Sequence, residues 1–329
     1  MLLISGATGF VGRHLLLDYL RRDQSVIGLY RSDTKKKATE DFLTQHNINP
    51  TTRANKLHWR KAEMTDWVSL ERAFEGATQV FHCAALVSLY PGKETEMMHI
   101  NVTGTAQMVD LAKKNNIQWF GHISSIAALG GSTEGKTIDE NNLWNKEDSH
   151  SAYAYTKQLA ELEVWRGFEE GLRGCILNPG VILGPGGNQS PLAQFRTHTQ
   201  KPICWIPTGG SGFVGIEDVV LAARLVQTKQ LHRERFVLVA FNWSYANLFD
   251  QLRKLLPSKG KKKTISERHL TTLYWFEKIL ALLGRQPRLS PAMIRTLCDM
   301  TTYDGSKIKK QLNDFSYQPL EKLVAGFLR

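Results

Sequence analysis

Short, dense apolar runs alternate along most of this chain with longer segments in which apolar residues recur at helical spacing. The runs predict strands at 2–4, 25–30, 57–61, 79–83, 119–123, 174–177 and 236–240, and the periodic segments predict helices at 11–22, up to 74, 95–115, 149–170 and up to 227. Such alternation implies an α/β fold with a doubly wound parallel sheet, in which ligands bind at the carboxyl ends of the strands. Beyond Pro179 the pattern changes. Gly184-Pro185-Gly186-Gly187 and Thr208-Gly209-Gly210-Ser211-Gly212 mark loops around a short insertion, and residues 213–218 read as a return to the main sheet. After Asn242 the segments read as helical, separated by 259–263 and the Pro287 region. The expected organisation is a sheet domain over 1–178 and 213–241, with a smaller, mostly helical C-terminal lobe over 179–212 and 242–329. Residues 270–283 are apolar on more than one side and are expected to form a packed lobe helix rather than a membrane-surface one.

Candidate chemistry collects at the predicted strand ends. The first strand runs into Gly6-Ala7-Thr8-Gly9-Phe10-Val11-Gly12 and then a helix. Glycines at G-x-x-G-x-x-G spacing let the backbone turn sharply and approach a pyrophosphate, while the helix N-terminus offers N–H groups and the positive end of its dipole. A dinucleotide site follows, with Gly6, Thr8, Gly9, Phe10, Val11 and Gly12 as candidate residues. The second strand ends in Tyr30-Arg31-Ser32, where an NAD-specific site places a carboxylate for the adenosine ribose. Arg31 offers a guanidinium suited to a phosphate instead, so NADP(H) is the expected cofactor, with NAD(H) possible. Ala84 and Ala85 are small enough for a ligand to approach the backbone closely. Ser124-Ser125 and Asn178-Pro179-Gly180 end two further strands.

Tyr153 and Lys157 open the helix that follows. Residues four apart share a helical face, so the phenol and the ammonium lie together. A neighbouring cation lowers a phenol's pKa, which suits proton transfer near neutral pH. By itself such a pair is an ordinary solvated contact; the nucleotide loop upstream and the serines at a strand end make it a candidate for catalysis. Tyr155, only two residues from Lys157, falls on another face and is expected to pack.

Composition narrows the partners. At 329 residues, 42% hydrophobic and 22% charged, the chain has room for one large domain and a lobe. No apolar run reaches the length of a membrane span and Met1 leads directly into a strand, so a cytoplasmic protein without a signal peptide is expected. Cys83, Cys175, Cys204 and Cys298 are too dispersed for a metal motif, and no metal is expected. Much of the net charge of +11 sits in 35–37, 259–263 and 307–310, without interleaved aromatics or a nucleic-acid motif. These runs read as solvated basic surface, which argues against nucleic acid and leaves an anionic ligand or membrane surface as the lesser reading.

Taken in order, the glycine loop, His82-Cys83-Ala84-Ala85, Asn101-Val102-Thr103-Gly104-Thr105, Ser125, Tyr153-x-x-x-Lys157 and Phe213-Val214-x-x-x-Asp218 resemble an extended short-chain dehydrogenase/reductase of the NAD-dependent epimerase/dehydratase superfamily, over nearly the whole chain. Residues 177–186 and Tyr303-Asp304-x-Ser306-Lys307 are similar to its dihydroflavonol reductase-like branch. The resemblance implies a Rossmann sheet with a substrate-binding lobe. It casts Tyr153 as proton donor, Lys157 as ribose ligand and Ser125 as the hydroxyl holding the substrate oxygen. Asn101 joins this catalytic set, more as a helix-positioning residue than as a catalyst, and Ser124 is expected to satisfy backbone groups. Glu63, standing where the family usually has Asp, joins Met64 or Asp66, Ala84, Ala85, Pro179 and Val181 as a cofactor contact. Val181 also replaces an Asn with which nucleotide-sugar enzymes contact the nucleotide diphosphate, which argues against a UDP-sugar. The expected substrate is a small, weakly polar carbonyl or alcohol, and a homodimer through helices 95–115 and 149–170 is possible. Epimerase/dehydratase or hydroxysteroid-dehydrogenase-like chemistry with retained cofactor, and a non-enzymatic NADPH-binding regulator, are the alternatives.

Overall fold

The computed structural model describes residues 1–88, 90–131, 135–144, 151–185, 197, 201–255, 260–281 and 289–325. Leu89, the first two residues of the helix expected at 149–170, Gly186-Gly187 and most of the insertion after them, Lys259, Leu282, Leu283 and Pro287 lie outside these.

Strands β1 (Leu2–Ser5), β2 (Val26–Tyr30), β3 (Leu57–Lys61), β4 (Gln79–His82), β5 (Trp119–Ile123) and β6 (Gly174–Pro179) lie in one parallel sheet. After β7 (Val181–Leu183), β8 (Ile203–Pro207) and β9 (Gly210–Gly215), strand β10 (Glu234–Leu238) completes it on the outer side of β6. The order is β3-β2-β1-β4-β5-β6-β10. The winding therefore reverses between β1 and β4, and a ligand crevice opens at the carboxyl ends of those two strands.

Helices cover both faces, which is why most of these strands read as continuous apolar runs. Leu2 and Ile4 point to a core shared with α1 (Phe10–Arg21), α2 (Asp33–Gln45) and a later helix. Leu3, between them, points to the opposite core, with α3 (Trp67–Ala73) and, after the short α4 (Glu94–Met97), α5 (Gly104–Lys114) and α6 (Ala152–Glu169). The later helix is α7 (Ile216–Thr228), whose Val219, Ala222, Ala223 and Val226 face the first core.

Four expectations are corrected here. Residues 213–218 do not return to the main sheet: β9 pairs with β7 and with β11 (Phe241–Ser244) in a separate three-stranded sheet, because β10 already occupies the free edge of β6. The chain after Asn242 is not purely helical, because the lysine run lies in β12 (Lys261–Ile265), which pairs in parallel with β8. Among the described residues that follow, the helices are α8 (Tyr245–Leu255), α9 (Glu267–Ala281), α10 (Pro291–Cys298), α11 (Lys307–Gln311) and α12 (Leu320–Ala325). The expected packed helix at 270–283 corresponds to α9, where Leu270 is buried but Trp275, Phe276 and Ile279 are exposed. Ile308, Leu312 and Phe315, grouped by sequence with the lobe, join the main core.

Candidate active site

The crevice is lined first by backbone. Gly6 leaves β1 at φ +63, and a Cβ there would stand 2.7 Å from the Ala84 nitrogen, so the loops after β1 and β4 can meet only at glycine. A Cβ on Gly12 would stand 2.2 Å from the Gly6 carbonyl oxygen. The turn is closed by the Gly9 N–H donating to that oxygen at 2.8 Å, and Gly9 then caps α1 without a side-chain hydrogen bond. The first N–H groups of α1 are thus left for an anion, which fits the pyrophosphate of a dinucleotide. Thr8, Phe10 and Val11 are partly exposed along this loop, and Ala85 is exposed beyond Ala84.

At the adenosine end, Arg31 is exposed just past β2 and its guanidinium meets the Glu63 carboxylate at 3.4 Å. The two residues singled out separately in the sequence are therefore partners, and a phosphate on Arg31 must compete with Glu63. Met64 is buried against Gly104, and the Asp66 carboxylate accepts from the Val68 N–H as the N-cap of α3. Pro179 ends β6, while Val181 packs with the apolar cluster of Leu183, Phe213 and Leu248.

The reaction end is made of side chains. Ser125, at the carboxyl end of β5, caps a single 3-10 turn by accepting from the Ala127 N–H, and its hydroxyl lies close enough to the Tyr153 phenol to oppose the upward shift that burial gives that group. Both are half-buried, so the pair is open to a ligand. Ser151 caps α6 by accepting from the Ala154 N–H, which sets Tyr153 in the first turn and Lys157 one turn deeper. Lys157 is 1% exposed; its ammonium donates to the Ile123 carbonyl at 3.2 Å and approaches His122 Nε2 at 3.5 Å. Burial pushes its pKa down to about 8, partly offset by Glu161.

Three details differ from expectation. The Tyr153 phenol is raised above its ordinary value by burial, and the contact opposing this is Ser125 rather than Lys157, whose ammonium is held at Ile123. Tyr155 does not pack; it is 49% exposed. Ser124 satisfies no backbone group: its hydroxyl is buried without a hydrogen bond among the described residues. Asn101 sits in a π-helical turn, Met98–Thr103, and its carboxamide is fully committed. It accepts from the Leu86 N–H at 2.7 Å and donates to the Leu86 carbonyl and to Thr156 Oγ1, both at 3.0 Å. It ties the segment after β4 to the turn carrying Tyr153 and Lys157, which is positioning, not contact with a substrate.

Beneath this pair lies a polar layer whose roles the sequence did not reveal. Ser5 Oγ accepts from the Cys83 and Ala84 N–H groups, so its proton goes to His82 Nδ1 at 2.7 Å. His82 Nε2 then donates to Thr105 Oγ1 at 2.9 Å. His82 stacks on His122, and both are held neutral by burial, with the Lys157 charge adding to the effect. On the other side, Glu161 is 3% exposed, pairs with Arg235 at 3.2 Å and accepts from Asn178 Nδ2. Asn178 also donates to the Ser125 carbonyl at 2.9 Å, so Glu161 braces the serine while setting the potential at Lys157. Its sequence signal was its place four residues after Lys157 on the same helical face.

A doubly wound sheet with a glycine cradle at its switch point is the fold of an NAD(P)-binding enzyme of the extended short-chain dehydrogenase/reductase type. The family model described as the NAD dependent epimerase/dehydratase family matches residues 2–203, and the chain belongs to that family. It is similar to a dihydroflavonol 4-reductase-like protein of Synechocystis sp., with 25% identity over 94% of this chain and 88% of that one. It is also similar to sterol demethylase protein B of Methylococcus capsulatus, with 24% identity over 94% and 92%. Among solved structures, gox2253 superposes with a TM-score of 0.82 at 23% identity, covering 100% of this chain and 96% of the other.

Proposed function

We propose that this protein is an NADPH-dependent reductase of a small, weakly polar ketone or aldehyde. The observation that carries the reading is the partly exposed pair Ser125 and Tyr153 at the carboxyl end of β5, one turn above a buried Lys157. A bound nicotinamide cofactor supplies the hydride. The protein supplies the rest. Ser125 donates to the substrate oxygen and fixes its position, and Tyr153 delivers its proton to that oxygen as negative charge develops there. Lys157 contributes a desolvated positive charge for the ribose hydroxyls, and Asn101 holds the turn in place. The phenol's elevated pKa keeps it protonated at neutral pH, the state a proton donor requires.

Preference for NADPH is supported by Arg31 just after β2, although Glu63 shares it. A weakly polar substrate is supported by Val181, which packs with apolar lobe residues where a nucleotide-sugar site would present a carboxamide. The sterol named for one relative is consistent with that choice. A thermal-shift screen on protein saturated with NADPH tests the substrate class, since a ligand stabilises the state it binds. Saturable stabilisation by apolar ketones or aldehydes is expected. Stabilisation by UDP-sugars and by none of those carbonyl compounds would move the protein to the epimerase/dehydratase side of its family.

A further inference from the structure

Helix α9 carries its apolar side outward. At about 100° per residue, Leu270, Tyr274 and Glu277 share one side of the helix. Leu270 is buried, and the Glu277 carboxylate accepts from the Leu289 N–H at 2.9 Å, so this side faces the protein. Trp275, Phe276 and Ile279 share the opposite side and are 61%, 56% and 61% exposed. A surface helix ordinarily turns such residues to the core, and single exposed apolar side chains need no explanation, but a contiguous aromatic patch does.

The charge of the sequence that contains and flanks this helix is as uneven as the helix's polarity. Residues 253–295 contain eleven of the chain's 42 Lys and Arg but only two of its 31 Asp and Glu, and so carry +9 of the net +11. Strand β12 places Lys261 and Lys263 at the surface and reaches α9 through Ser266 alone, while Arg268 and Lys278 are exposed on α9 itself. The Lys263 ammonium lies 5.6 Å from the ring centre of Trp205, a second half-exposed indole. A second copy of the chain would answer the apolar patch only by bringing like charge against like. An anionic bilayer answers both features at once: aromatic and aliphatic side chains enter the headgroup boundary while lysines and arginines meet lipid phosphates. No described helix is long and apolar enough to cross a membrane, so this contact is peripheral.

We propose that α9 and the basic residues around it form a docking surface for anionic lipid membranes, independently of the reaction the protein performs. The test is co-sedimentation of the full chain with vesicles of pure phosphatidylcholine and of equal parts phosphatidylcholine and phosphatidylglycerol. Binding is expected to the mixed vesicles only, weakening as salt screens the attraction. Replacing Trp275, Phe276 and Ile279 together by Ser should lower the partition coefficient by roughly tenfold or more. Replacing Lys261, Lys263 and Lys278 by Gln should both weaken binding and flatten its salt dependence. All six positions are at the surface, and unchanged melting temperatures would show that both variants fold. The proposal is overturned if the chain stays in solution with mixed vesicles, if it binds both vesicle types alike, or if the apolar variant sediments like the parent. It is also overturned if light scattering shows a dimer that the apolar substitutions dissolve, since the patch would then join two copies.

Discussion

The two ends of the nucleotide crevice are built in opposite ways. The phosphate end is backbone: glycines stripped of side chains, a bare helix N-terminus, and two loops in contact at Gly6 and Ala84. The reaction end is side chains: a lysine 1% exposed, two neutral buried histidines, and a carboxylate 3% exposed that shares an arginine and an asparagine. Shape governs the first end and electrostatics the second. The first should therefore fail when volume is added, at any pH, and the second when charge is changed, with a pH signature.

The largest effect belongs to the reaction end. Tyr153→Phe should leave NADPH binding nearly intact while single-turnover reduction of an accepted carbonyl falls by roughly two to four decades, the scale of general acid catalysis. Tyr155→Phe should change little, because that ring is half-exposed on another face. Near-normal rates in Tyr153→Phe would remove the proton-donor assignment. Next comes the phosphate end. Gly12→Ala puts a methyl group into the Gly6 carbonyl, and overpacking of this kind costs about 1–3 kcal/mol, or roughly one to two decades in cofactor affinity if the loop absorbs it. Calorimetric titration should show the loss for NADPH and NADH alike, and a loss confined to one of them would contradict a shared pyrophosphate cradle.

On the proposed reading, Arg31 is the contact that separates the two cofactors. Arg31→Ala should reduce the preference for NADPH by roughly one to two decades, the worth of a charge-assisted hydrogen bond. Glu63→Gln should increase it, because the guanidinium loses the carboxylate it now contacts at 3.4 Å. Titrations in which both variants keep the parent's preference would place the discrimination elsewhere.

How much of this could be read from sequence follows from the same contrast. The cradle was legible because strand, glycines and helix are consecutive, and the Tyr153–Lys157 pair because helical spacing is local. The polar layer was not, because its partners are brought together by sheet order. His122 stacks on His82 since β4 and β5 are neighbours in register, and Arg235 reaches Glu161 since β10 lies beside β6. Lys261 to Lys263 form a strand only because β8 offers an edge. The outward apolar side of α9 escaped for a related reason: periodicity shows that a helix has apolar residues, not which side the core will take.

A smaller effect, of opposite sign, concerns stability. Moving the Lys157 pKa from 10.5 to about 8 costs the cofactor-free fold on the order of 3 kcal/mol at neutral pH, where folded and unfolded lysines are both protonated. Lys157→Met removes this penalty, in which Glu161 is already counted, along with the ammonium's hydrogen bond to the Ile123 carbonyl, so a net gain on the order of 1 kcal/mol is expected, together with loss of activity. Above pH 8 the folded lysine gives up its proton before the unfolded one does. The parent's stability therefore recovers as pH rises, and the advantage of the variant should fade toward pH 10.5. Thermal melts of both cofactor-free proteins across this range decide it; a variant less stable than the parent at neutral pH would mean that the buried charge is not a burden.

The finest test separates charge from bracing within the polar layer. Of the two groups that the proposed mechanism needs protonated, Lys157 has the lower pKa, since Tyr153 lies above its ordinary value, so on that mechanism Lys157 sets where activity falls as pH rises. Glu161 holds the Lys157 pKa up. Glu161→Gln keeps an oxygen for Asn178, and Arg235 retains its hydrogen bond to the Glu140 carbonyl, so the geometry around Ser125 should survive while the negative charge is lost. The alkaline limb of the single-turnover rate should then move to lower pH by up to about one unit, the size of shift one neighbouring charge commonly produces. Near pH 6 the variant should react almost as fast as the parent, because Lys157 is protonated there in both. A rate reduced equally at all pH values, with the limb in place, would make Glu161 a brace for Ser125 and nothing more.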